Sequence, residues 1–203
     1  MPTIEDIKSC AERVTGIRRP DEDAATNCVR ARKANAYAFA DDRETPNNPK
    51  LPLIHYRSPV RLDGDFDPAA IFEVLFASNG WKDGWRDGIY DFNHFHTQTH
   101  EVLGIARGHA EVRFGGERGR TLSLKAGDVI VLPAGTGHRR ISASRDLLVV
   151  GAYPENGGDY DEPKACDVDI EEARAAIKRV PLPASDPVYG RKGGLRKIWK
   201  SSR

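Results

Sequence analysis

Two short stretches of the chain bring together residue types that bind metal ions. In the first, Gly88, His94, His96, Glu101 and Gly108 follow the spacing Gly-x5-His-x-His-x4-Glu-x6-Gly. In the second, Gly127, Pro133, Gly135 and His138 follow Gly-x5-Pro-x-Gly-x2-His. Residues two apart on a strand share a face, so His94 and His96 point the same way. Residues 97–100 leave room for a turn, after which Glu101 lies on a neighbouring strand and reaches the same point. Gly127-Asp128 makes a turn, Val129–Leu132 an apolar strand, Pro133-Ala134-Gly135 a break, and His138 opens the next strand. Three imidazoles and one carboxylate from separate strands suit one six-coordinate divalent ion, with two positions left for water, oxygen or substrate. Iron, manganese, nickel and zinc all accept such a set.

These side chains need strands to carry them. From Gly88 to Pro154 the chain supplies short β-rich runs at 88–96, 101–107, 110–114, 121–124, 128–132, 138–142 and 146–153, punctuated by glycine. Short strands at this spacing predict a mainly β fold, an antiparallel sandwich or barrel. Helices flank it. Asp67-Pro68 opens one, with Asp as N-cap, Pro at the first position, an apolar stripe of Ile71, Phe72, Leu75 and Phe76, and Asn79-Gly80 as C-cap. Trp81 and Trp85 follow and are expected to pack that helix on the barrel. Asp169 caps a second helix running to about residue 179. Ile4, Ile7, Ala11 and Val14 suggest a short amphipathic helix at the start, and the charged stretch 18–34 reads as a linker or loosely packed arm. Thr45-Pro46-Asn47-Asn48-Pro49 is a loop signal.

The 203 residues fit one domain with terminal extensions. Thirty-one basic and 30 acidic residues nearly cancel, so no global field draws the chain to nucleic acid or membrane. Six basic residues in the tail, Arg191, Lys192, Arg196, Lys197, Lys200 and Arg203, are read as a solvated end with Trp199 tucked against the domain. Cys10, Cys28 and Cys166, an odd and widely spaced set, argue against a disulfide framework and a thiolate zinc site. With an acidic N-terminus unlike a secretory signal and no span of transmembrane length, they place the chain in the cytoplasm.

Both metal-ligand stretches match the two motifs of the cupin superfamily, closely over residues 88–142. The resemblance implies a double-stranded β-helix barrel, a small antiparallel jelly roll. It carries metal-ligand roles onto His94, His96, Glu101 and His138. The second cupin motif usually ends in Asn four residues after its histidine; here that position is Ser142. A narrower set, Thr99–Gly104, Ala126-Gly127-Asp128, Val150–Pro154, Pro46–Pro49, Pro183 and Asp186-Pro187, resembles the YjlB-like single-domain cupins. The chain is accordingly divided into an N-terminal helical and linker extension at 1–34, a barrel at 35–155, and a C-terminal helix and basic tail packed on the barrel at 156–203. Residues 1–34 lie outside the resemblance. A homodimer is implied by the resemblance alone.

Strand parity suggests the pocket. It puts Tyr90 and Phe92 on the metal-facing side, with Leu103, Ile105, Arg140 and Ser142 also inward. Arg140 is a candidate anchor for a substrate carboxylate. His100 is expected at the rim near the metal, while His55 and His109 are expected at the surface. The function expected is a metal-dependent, oxygenase-like enzyme acting on a small organic molecule, with Glu101 staying bound or swinging off as a base. The other expectation is a non-catalytic barrel that senses or carries a small ligand around a structural metal.

Overall fold

The computed structural model describes residues 18–62, 64–159, 161 and 169–202. The helix expected around Ile4–Val14 lies outside them, as do Cys10 and Cys166. Among the described residues no helix is long and apolar enough to cross a membrane.

Among the described residues nine strands form two antiparallel sheets: β1 (Ala34–Tyr37), β2 (Leu53–Tyr56), β3 (Trp81–Asp87), β4 (Glu101–Arg107), β5 (His109–Phe114), β6 (Arg120–Lys125), β7 (Val129–Leu132), β8 (His138–Ala143) and β9 (Leu148–Pro154). One sheet has the order β1-β2-β7-β4-β9-β3, the other β6-β5-β8. The two face each other as a jelly-roll sandwich, with flanking helices α1 (Glu22–Asn27), α2 (Pro68–Ser78), α3 (Ile170–Ile177) and α4 (Leu195–Ser201).

The central strands of the larger sheet, β2, β7, β4 and β9, are buried on both faces, and period-two alternation sorts their side chains. Leu53, Leu103, Ile105, Ile130, Leu132 and Val149 turn inward to meet Val112, Phe114 and Leu124 of the smaller sheet. Ile54, Tyr56, Val102, Val129, Val131, Val150 and Ala152 turn outward onto α2 and Trp199. Phe72 of α2 sits over Gly104, where an added Cβ would come within 2.5 Å of its ring. The helix is capped as the sequence predicts: the Asp67 carboxylate accepts from Ala69 N–H at 3.1 Å, and Gly80 adopts φ +74° past the last turn. Trp199 is fully buried, its Nε1 donating to the Pro52 carbonyl at 2.9 Å.

Four local readings change. Residues 88–96 are not a strand of either sheet. A bend at Asp91-Phe92 limits their pairing to one bridge, His94 with His138. The strand lies just before, at Trp81–Asp87, where a register shift between Lys82 and Trp85 and φ +53° at Asp83 hide its alternation. Residues 22–27 are helical rather than loose, and Ala25 and Cys28 join the core. In β8 the register passes from Val112–Arg140 to Glu111–Ser142, so Ile141 bulges. Alternation slips there, and Ala143 rather than Ser142 takes the inward side.

Candidate metal centre

The first residues of two strands and one neighbouring segment build the site. Glu101 opens β4 and His138 opens β8. The segment before β4 runs beside β8, with His94 and His138 exchanging backbone bonds (His138 N to His94 O 2.9 Å, the reverse 3.3 Å). That pairing brings their imidazole centroids to 4.0 Å, the rings tilted by 49°. His96, two residues on, shares the same side, and its carbonyl accepts from Gly135 N–H at 2.7 Å.

His94, His96 and His138 are all buried, with ligand nitrogens within 4.8 Å of one another, a group able to hold a metal ion. Glu101 Oε2 lies 3.3 Å from His96 Nε2 and 3.4 Å from His138 Nε2. Each ring turns Nδ1 to a backbone carbonyl: His94 to Phe92 O at 3.3 Å, His138 to Thr136 O at 3.2 Å, and His96 to Asp161 O. A carbonyl only accepts, so Nδ1 carries the proton and Nε2 of the neutral ring keeps the lone pair a metal needs. Glu101 Oε2 is buried without a hydrogen-bond partner among the described residues. Such an atom is costly unless something cationic completes it: a protonated His96 in the metal-free protein, or a metal ion in place of that proton. The donor set fits a divalent ion.

The charges respond to this crowding. Burial opposes ionisation of Glu101, but His96, His138 and His94 outweigh it and bring the carboxyl down to about 2. Burial likewise opposes protonation of His96, yet the Glu101 carboxylate and the Asp161 carbonyl push that ring up to about 9. For His138, burial and then the neighbouring His94 hold the ring at about 3.

Residues distant in sequence clamp these side chains. Asn47, at φ +49°, donates to the carbonyls of Ala40 (2.8 Å) and Gly115 (3.2 Å) and accepts from Gly137 N–H (3.3 Å). Thr45 Oγ1 accepts from the Asn93 amide at 2.7 Å. The Asn-rich loop therefore grips both the residue before His94 and the residue before His138. The Asp161 carboxylate caps the turn after His96, accepting from Thr97 N–H at 3.0 Å and Gln98 N–H at 3.1 Å. Tyr153 donates its hydroxyl to Glu101 Oε1 at 3.3 Å and accepts from Trp85 Nε1 at 2.9 Å.

Glu101, His94 and His138 line a cavity of about 790 Å³. Tyr90 and Arg140 also line it; Tyr90 is 44% exposed and stacks on Phe92, which stands behind it. His100 is elsewhere. It is fully buried, accepts from Ala134 N–H at 2.9 Å, faces the Pro181 carbonyl at 3.2 Å and packs against Trp199. His55 is also buried rather than at the surface, with Nε2 3.3 Å from the Asp128 carboxylate, while His109 is exposed. Trp81 packs with α2 as expected, but Trp85 faces the cavity. Sequence reasoning assigned no role to Tyr153. Alternation from the inward Val149 was the available signal.

No family model matches the chain. It is 38% identical over 168 residues to YjlB of Bacillus subtilis (strain 168), a match spanning 83% of this chain and 98% of that protein. The chain belongs to the YjlB family. A match of that length takes in the YjlB-family span from His94 to His138 wherever it begins. Solved structures overlap more weakly. Acireductone dioxygenase from Bacillus anthracis, with a cadmium ion in its active center, is 20% identical, covering 40% of this chain and 56% of its own (TM-score 0.30). Oxalate decarboxylase of Bacillus subtilis, with Mn(II) centers, is 18% identical, covering 61% and 30% (TM-score 0.33). A DUF861 family protein from Thermotoga maritima is 20% identical, covering 35% and 75% (TM-score 0.26). Membership of the YjlB family rests on the first match and takes nothing from these.

Proposed function

We propose that the chain is a metal-dependent, oxygenase-like enzyme acting on a small organic acid. One divalent ion, iron, manganese, nickel or zinc, would be held by His94, His96, Glu101 and His138. The observation that carries the reading is the placement of the histidine group and Glu101 against an open cavity of about 790 Å³. A purely structural ion sits in a closed shell of protein ligands, whereas a catalytic one keeps a side open. When bound, the ion supplies Lewis-acid polarisation of a substrate oxygen and, if redox-active, a route for electrons to dioxygen.

The protein's own groups bind and orient. Arg140 has its Nε tied to the Ile89 carbonyl at 3.0 Å, and the nearest carboxylate to its Nη2, Asp91, is 4.0 Å away. In this reading its guanidinium holds the substrate carboxylate through paired hydrogen bonds. Tyr90, braced by Phe92, and Leu103 enclose the apolar body of the substrate. A cytoplasmic homodimer belongs to the same proposal, supported by the family resemblance and the odd cysteine count.

Oxygen-uptake screening of the Fe(II)-, Mn(II)-, Ni(II)- and Zn(II)-loaded protein against carboxylated phenols, diketones and thiols tests it. Metal-dependent turnover, lost in His138→Ala and raised in KM by Arg140→Ala, is the expected result. Tight ligand binding without turnover under any metal overturns catalysis in favour of a ligand-carrying barrel.

A further inference from the structure

We propose that Tyr153 is a positioning residue for the metal-site carboxylate: its hydroxyl occupies Glu101 Oε1 and leaves Oε2 as the single oxygen offered to the ion. The inference rests on the metal reading above and assigns a role to a residue outside the ligand set.

The donor inventory decides the direction of the hydrogen bonds. An indole N–H only donates, so at 2.9 Å from Trp85 Nε1 the Tyr153 oxygen accepts. An ionised carboxylate only accepts, so at 3.3 Å the single Tyr153 proton goes to Glu101 Oε1. The order Trp85 to Tyr153 to Glu101 satisfies all three groups. Each bond polarises the next, which strengthens the grip on Oε1. The other oxygen, Oε2, is the atom facing His96 and His138. The two oxygens of one carboxylate thus have separate tasks. The Tyr153 ring also meets the His96 ring edge-on at 5.6 Å, so one side chain braces two neighbouring ligands.

A carboxylate tethered in this way is held against swinging off as a mobile base, and it is held against chelating the ion through both oxygens. Removing the hydroxyl leaves Oε1 buried without its donor, and the ion becomes its best remaining partner. Trp85 and Tyr153 also form the wall shared with a second cavity of about 480 Å³, so the tether is part of the partition between the two spaces.

Co(II) titration of the full-length protein tests the proposal, reading both affinity and the d–d absorption spectrum in wild type, Tyr153→Phe and Trp85→Phe. Tyr153→Phe is expected to shift the Co(II) bands and to weaken binding about 10- to 100-fold, the usual effect of losing a group that orients a ligand. Trp85→Phe keeps the hydroxyl but removes its donor, and is expected to shift the bands the same way by less. A band shift is a readout that a purely structural role does not move. Wild type that binds Co(II), with both variants matching its spectrum and affinity, overturns the inference while leaving the metal site intact. Wild type that does not bind Co(II) overturns the metal reading and this inference together. If Tyr153→Phe does not fold, Trp85→Phe alone decides by the same criterion.

Discussion

Gly151 and Trp85 stand opposite each other on β9 and β3, and a Cβ on Gly151 would overlap the Trp85 indole. The missing side chain is what lets the indole reach Tyr153 and, through it, Glu101. Gly151→Ala is therefore expected to disturb a metal site that it does not touch. The overpacking costs about 1–3 kcal/mol, measurable by urea denaturation of the metal-free protein. The Co(II) spectrum should move in the direction of Tyr153→Phe. A variant with wild-type stability and spectrum contradicts this.

Removing a ligand separates folding from metal binding. Wild type at a hundredfold excess of Ni(II) or Zn(II) over its dissociation constant should gain about 2.7 kcal/mol of unfolding free energy, reversed by EDTA. His138→Ala should show no metal-dependent gain. Equal stabilisation of the two proteins would place the ion elsewhere.

Metal uptake should release the His96 proton near pH 7. In the metal-free protein His96 is raised from 6.5 to about 9, so it is protonated there, while Glu101 at about 2 and His138 at about 3 have already lost theirs. The ion needs the His96 Nε2 lone pair and displaces that proton. Affinity should accordingly rise with pH up to the His96 pKa. The same raised pKa stabilises the metal-free fold fully below 6.5, a contribution lost as pH climbs through about 9. Calorimetric titrations in buffers of different ionisation enthalpy count the protons; a count of zero at pH 7 refutes the assignment.

Asn47→Ala tests the loop that grips both ligand-bearing segments. It removes donors to the Ala40 and Gly115 carbonyls and the acceptor for Gly137 N–H, all at a buried position. Leaving such groups without partners costs about 1–3 kcal/mol each before relaxation. The variant should unfold at lower urea and bind metal more weakly, because Gly137 precedes His138. A loss of stability with unchanged metal affinity would limit the loop to a folding role.

How far the sequence reaches depends on the distance over which its rules act. Period-two alternation and the spacing of His94, His96, Glu101 and His138 are local. From them follow the β-rich fold, the grouping of the histidines and the inward Leu103 and Ile105, as the Asp67 and Asp169 caps follow from equally local N-cap chemistry. The same rule fails at Ile141 and at Asp83, where one bulged residue reverses the faces beyond it. Bulges are set by pairing with a partner strand and leave little trace in the strand's own composition.

What only the tertiary structure decided are contacts between residues far apart in the chain. Trp85 and Tyr153 are 68 positions apart, Asp161 and His96 are 65, and Asn47 and Gly137 are 90. His100 and His55 show the same divide. Both are histidines without a spacing partner, and each is buried because a carbonyl or carboxylate from another element meets its ring. The sequence by itself singled out His94, His96 and His138, a group able to hold a metal ion. The fold decided which oxygen of Glu101 faces the histidines, because hydrogen bonds across neighbouring strands orient a side chain and its own sequence neighbours do not.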